Sequence, residues 1–152
     1  SYQEYVNKFF KYYYGVAGSY LQDYYEQVLT RSRYNEVENA VNGNIHNRKL
    51  LYAENWPEGL MNSWINLLGK AYEAIEVYKA SDPELYESYR KHILQEELFP
   101  RYVLCTTYES SYSASALKVL RQSFLDDFYL LENKAYAEGR LMTEVSDGWD
   151  LD

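Results

Sequence analysis

Residues 58–80, EGLMNSWINLLGKAYEAIEVYKA, decide the class of the fold. Met61, Trp64, Ile65, Leu68, Tyr72, Ile75 and then Tyr78 or Lys79 recur at the three- and four-residue spacing that lines one face of an α-helix. The segment predicts a long amphipathic helix. Directly after it, Ser81-Asp82-Pro83-Glu84 stops one helix and starts the next, because proline fits a first helical turn and the Ser or Asp before it can cap. Tyr86, Tyr89, Ile93 and Leu94 carry the second helix on. Pro100 lacks a backbone donor and crowds the preceding turn, which predicts a kink or break near Phe99 and a shorter segment over 101–109. Caps within 110–115 then open a last long helix, about Ser115 to Glu138. It turns Leu117, Leu120, Phe124, Phe128, Leu131 and Ala135 inward and is ended by Gly139.

Toward the N-terminus, Ser1 and Glu4 form a capping box ahead of Tyr5, Phe9, Tyr12 and Tyr13, an i, i+4, i+7, i+8 face. Gly15 interrupts this helix. A second segment, Ala17 to Arg31, places Tyr20 or Leu21, Tyr24 and Val28 on one face, with Arg31 its last candidate; the two segments read equally as one kinked helix. Periodicity fades from Ser32 to Pro57, where repeated asparagines and Asn42-Gly43 supply turn chemistry. Loops of this length are uncommon in small domains, so a short helix near Arg48 to Glu54 is expected to divide it. The tail, 140–152, is acidic, with a turn at Asp147-Gly148 and Trp149 as a large anchor. The reading is an all-α, single-domain irregular helical bundle of about five helices over 1–139, kinked near Pro100, followed by that tail.

Among the 152 residues, 15 Lys and Arg face 23 Asp and Glu, a net charge of −8. The basic stripe that a nucleic-acid partner requires is missing. No apolar run approaches the roughly 20 residues of a bilayer-spanning helix, so no membrane partner is expected. The single Cys105 excludes an intramolecular disulfide. Because the chain opens directly into a helix, it reads as part of a longer protein.

No complete catalytic set emerges. Glu73, Glu76, Glu84, Glu87, Asp126 and Asp127 avoid the apolar stripes and read as solvated. A di-metal bundle needs Glu-x-x-His on two helices, whereas His46 and His92 are preceded at that spacing by Gly43 and Tyr89. His92 and Glu96 share a helix face but lack a third ligand. Cys105 reads as a packed thiol, and the seven glycines build no phosphate cradle. No catalytic residue, metal or cofactor is therefore assigned. What remains is an aromatic surplus of 19 Tyr, 5 Phe and 3 Trp. Successive residues of Tyr12-Tyr13-Tyr14 turn by about 100°, so at least one must leave the core or enter a neighbour. Tyr12, Tyr13, Tyr14, Trp56 and Trp149 are the candidate contacts. Core packing with scattered exposed rings, docking to another domain, and stacking on sugar all remain open.

The stretch Phe9-Phe10-Lys11-Tyr12-Tyr13-Tyr14-Gly15-Val16-Ala17-Gly18-Ser19-Tyr20-Leu21 resembles a helical domain of unknown function. That domain follows the catalytic barrel of bacterial secreted glycoside-hydrolase-like proteins laid out as α-glucuronidases are. Trp64 to Ala71, Asp82-Pro83-Glu84-Leu85-Tyr86 and Arg90 to Tyr102 look similar too, so the resemblance covers most of the chain. It implies a non-catalytic C-terminal accessory domain of a carbohydrate-active enzyme, periplasmic, outer-surface or secreted. The implied partners are an upstream catalytic barrel of the same chain, a polysaccharide, or a second copy in a homodimer. At the matched positions, Gly15 is expected to permit a helix break, and Ala17 and Gly18 a close backbone approach. The alternative is a free-standing, tyrosine-rich helical module that binds protein or glycan.

Overall fold

In the computed structural model, which describes residues 1–39 and 52–131 together with Trp149 and Leu151, the stripe along residues 58–80 lies at the centre of the molecule. Helix α3, Glu58–Ile75, buries Met61, Trp64, Leu68, Ala71 and Ile75 completely. Ile65 and Tyr72 flank them half-buried. Ala71 joins the stripe because it lies three residues beyond Leu68. Helices α2 (Gly18–Glu38) and α4 (Pro83–Thr106) pack on α3, α1 (Tyr2–Tyr14) packs on α2 and α4, and α5 (Ala114–Leu130) packs on α4. Among the described residues there is no strand, and the all-α bundle expected from the sequence is the architecture observed.

Ser1 caps α1 as expected: its Oγ accepts from the Glu4 N–H at 3.3 Å, and its terminal ammonium reaches the Glu4 carboxylate at 3.2 Å. The helix stops at Gly15, whose φ of 61° and ψ of −136° suit only glycine. A Cβ there would lie 2.6 Å from the Tyr89 ring and 2.8 Å from the Tyr78 hydroxyl. One 3-10 turn, Gly15–Ala17, then joins α1 to α2. Its Val16 N–H donates to the Tyr78 hydroxyl at 3.0 Å. At Gly18 a Cβ would meet the Phe10 carbonyl at 2.9 Å, and Ala17 is fully buried. Small side chains here let α2 pack directly on the backbone of α1.

Helix α2 runs to Glu38, seven residues beyond its expected end at Arg31. The reason is tertiary. Arg31 donates through Nε to the Asn55 carbonyl at 2.9 Å and through Nη2 to the Glu54 carbonyl at 2.6 Å, while the buried Asn35 amide donates to Asn55 at 3.0 Å. These bonds tie the last two turns of α2 to the strip before α3. Within the short helix expected at 48–54, Tyr52 is not helical and residues 53 and 54 belong to a turn. Its remainder, 48–51, and Asn42-Gly43 lie outside the described residues.

Asp82 caps α4 by accepting from the Leu85 N–H at 3.1 Å, with Pro83 in the first turn. Of the kink or break expected near Phe99, the break does not occur, because α4 continues through a fully buried Pro100 to Thr106. A proline at 100 cannot donate to the carbonyl of residue 96. The Tyr24 hydroxyl supplies that bond instead, donating to the Glu96 carbonyl at 3.0 Å. A side chain of α2 thus replaces the missing amide.

Ser113 caps α5 through the Ala116 N–H at 3.2 Å. Leu120, expected inward, is 38 % exposed, whereas Arg121, Phe124 and Leu125 are buried. Arg121 takes the inward position because its Nε and Nη2 donate to the Cys105 carbonyl at 3.1 and 2.8 Å, closing the C-terminal end of α4. Ala135 and the stop at Gly139 lie outside the described residues. With Leu98, residues Phe124 and Leu125 form a second, smaller cluster, apart from the one centred on α3.

Candidate functional site

Helix α1 is apolar around most of its circumference. The periodic face of Tyr5, Phe9, Tyr12 and Tyr13 is the outer one. Tyr5 is 72 % exposed and Phe9 52 %, while Val6, Phe10 and Tyr14 face the core. Two stripes therefore share one helix, and the neighbours of α1 select the inner one. The outer stripe, Tyr2, Tyr5, Phe9 and Tyr13, walls a groove of about 580 Å³ whose other side is α2, with Gln22, Tyr25, Glu26 and Leu29.

Glu96 of α4 lies in the same groove. It is half-buried. Burial pushes its carboxyl above the ordinary glutamate value, and a hydrogen bond from the Tyr14 hydroxyl partly offsets this. Desolvation, with the Glu96 charge beside it, likewise raises the Tyr14 phenol, which stays neutral and able to donate. A carboxyl held above its ordinary value is more readily protonated in the folded state. Its contribution to stability is therefore full below pH 4.5 and is lost as pH rises through the raised value. Glu96→Gln should accordingly gain on the wild type between pH 4.5 and neutrality. Urea midpoints of both proteins at the two pH values measure the gain, and a constant difference would refute it.

The structure separates the five candidate residues. Tyr12 is 82 % exposed but turned away from the groove, Tyr13 lies on its wall, and Tyr14 is buried at its base. The turn of about 100° per residue puts the three consecutive tyrosines in three environments. Trp56 is buried, with its ring 4.8 Å from Phe99 and 6.2 Å from Trp64, and presents no surface to a partner. Trp149 is half-buried in the second cluster, 5.7 Å from Phe124 and 6.0 Å from Tyr102, with the Arg121 guanidinium 5.1 Å over its ring. Of the five, only Tyr13 and Tyr14 meet at one site.

His92, Arg101 and Cys105 are engaged in the fold. The His92 ring stacks on Tyr13 at 3.6 Å, and its Nδ1 lies 2.6 Å from the Tyr13 carbonyl, at the end of α1. Arg101 bridges Asp127 at 2.8 Å and Glu97 at 3.5 Å, so Asp127 is a paired group and not a freely solvated one. Cys105 is a packed thiol, raised by burial. Among the described residues, no group of three or more His, Cys, Asp or Glu is placed to hold a metal ion.

Comparison with family models, with curated proteins and with solved structures finds no match to this chain. No helix among the described residues is long and apolar enough to cross a membrane. Sequence reasoning weighed Glu96 only as a metal ligand beside His92 and missed its place in the groove. Its signal was position, because it lies three residues after buried Ile93 and four before buried Pro100, on a face that the core claims.

Proposed function

We propose that the chain is a non-catalytic helical docking domain that uses the α1–α2 groove to pack on another domain, within a bacterial secreted carbohydrate-active polypeptide. The observation that carries the docking is the outer stripe of α1. Four aromatic side chains over three turns face solvent, and exposed apolar surface arranged continuously in this way marks an interaction site. The glycoside-hydrolase barrel as the other domain rests on the resemblance of residues 9–21, 64–71, 82–86 and 90–102 alone.

Nitration of tyrosines, mapped by mass spectrometry, tests the proposal in the polypeptide encoded by the native reading frame and in the 152-residue chain. Tyr2, Tyr5 and Tyr25 should nitrate readily in the isolated chain and be protected in the native polypeptide. Phe9→Asp should remove that protection while leaving Tyr12 equally reactive in both. Equal labelling of the groove tyrosines in the two forms would overturn the docking reading. A native frame that adds no further domain would leave a free-standing binding module.

A further inference from the structure

We propose that the α1–α2 groove takes an apolar polypeptide segment carrying an arginine, whose guanidinium stacks among the groove tyrosines and pairs with the Glu96 carboxylate. This rests on the docking reading above and names the chemistry of the partner. Three features favour it. Among the described residues, the groove is lined by two carboxylates, Glu26 and Glu96, and by no lysine or arginine. Glu96 is half-buried, and among the described residues it is the Tyr14 hydroxyl, and no cation, that stabilises its charge. A desolvated carboxylate of this kind attracts a cation more strongly than one in water.

The second feature is the walls. Aromatic faces attract cations, and the planar guanidinium both stacks on rings and matches a carboxylate with two parallel donors, which an ammonium cannot do. The third is shape. From Tyr2 to Tyr13 the outer stripe runs eleven residues along α1, roughly 16 Å at helical rise. Tyr2 and Tyr5 at one end remain largely exposed, so the groove is a long open trough. Such a trough suits a peptide laid along it and encloses a small ligand poorly.

Selection of random twelve-residue peptides displayed on phage against the 152-residue chain tests the proposal. Enriched peptides should carry arginine flanked by leucine or aromatic residues. The best of them, synthesised, should bind at least tenfold more weakly to Glu96→Gln and to the same peptide with citrulline in place of arginine. Glu96→Gln is first checked to melt no lower than the wild type. Peptides without a basic residue that still lose binding in Phe9→Asp would overturn the arginine anchor and leave docking in place. Failure to enrich any peptide sensitive to Phe9→Asp would overturn both. Saturable binding of xylohexaose, lost in Phe9→Asp, would replace the peptide by a sugar.

Discussion

Replacing Trp64 by alanine is expected to cost about 3–5 kcal/mol, the range for removing a large aromatic side chain from a close-packed core. The indole is fully buried on α3. It meets the Tyr24 ring edge-on at 5.5 Å and the Trp56 ring at 6.2 Å, and its Nε1–H donates to the Gln27 side chain at 2.9 Å. Alanine removes all of these contacts, and the Gln27 oxygen loses its donor. Since small domains are stable by only about 5–15 kcal/mol, this one change should remove roughly a fifth or more of the total. Equilibrium urea unfolding measures it. Trp64→Phe, which keeps one aromatic ring and loses the donor and the rest of the indole, should cost less than the alanine change. A loss below about 1 kcal/mol in the alanine variant would show that the site collapses or is not the centre of the core.

The second large effect is at Tyr24, where two costs coincide. Tyr24→Ala removes a ring that is 3 % exposed and also strips the Glu96 carbonyl of its substitute donor. The expected loss is about 3–5 kcal/mol for the cavity, with roughly 1–3 kcal/mol more for the orphaned carbonyl. Tyr24→Phe isolates the second part. Pro100→Ala restores an amide at the position that normally serves residue 96, so it should rescue much of the hydrogen-bond cost of Tyr24→Phe while giving little of that benefit to the wild type. The non-additivity of this double-mutant cycle, read from urea midpoints, is the decisive quantity. Strict additivity would mean that the tyrosine does not stand in for the missing amide.

What the sequence made legible was local. The stripe from Met61 to Ile75, the caps at Ser1, at Ser81 or Asp82 and within 110–115, and the glycine stop at 15 each follow from a few neighbouring residues, and the structure carries them, with Asp82 and Ser113 as the capping residues. What it hid was set by distant partners. Nothing near Pro100 announces that Tyr24, 76 positions earlier, will supply its missing bond. Nothing near Arg31 announces that the Glu54 and Asn55 carbonyls will hold α2 together for two more turns.

The site was half-legible for a related reason. The aromatic surplus left core packing, docking and sugar stacking open, while the three consecutive tyrosines required at least one to leave the core or enter a neighbour. A helix that is apolar on two faces gives two equally good periodic stripes, however, and spacing cannot choose between them. The packing of Val6, Phe10 and Tyr14 against the core makes that choice. Trp56, the other large ring that composition offered as a contact, went inward because Trp64 and Phe99 flank it.

The separation of the two apolar clusters bears on how the molecule opens. Helix α5 packs chiefly on α4 and shares little with the assembly around α3, so its amides need not await global unfolding to exchange with solvent. Hydrogen exchange on α5 should report a smaller free energy than exchange on α3. Fluorescence then divides along the same line. Trp56 and Trp64 belong to the main assembly and Trp149 to the smaller one, so the emission of Trp149 should change under mild denaturant while the other two tryptophans still report an intact centre.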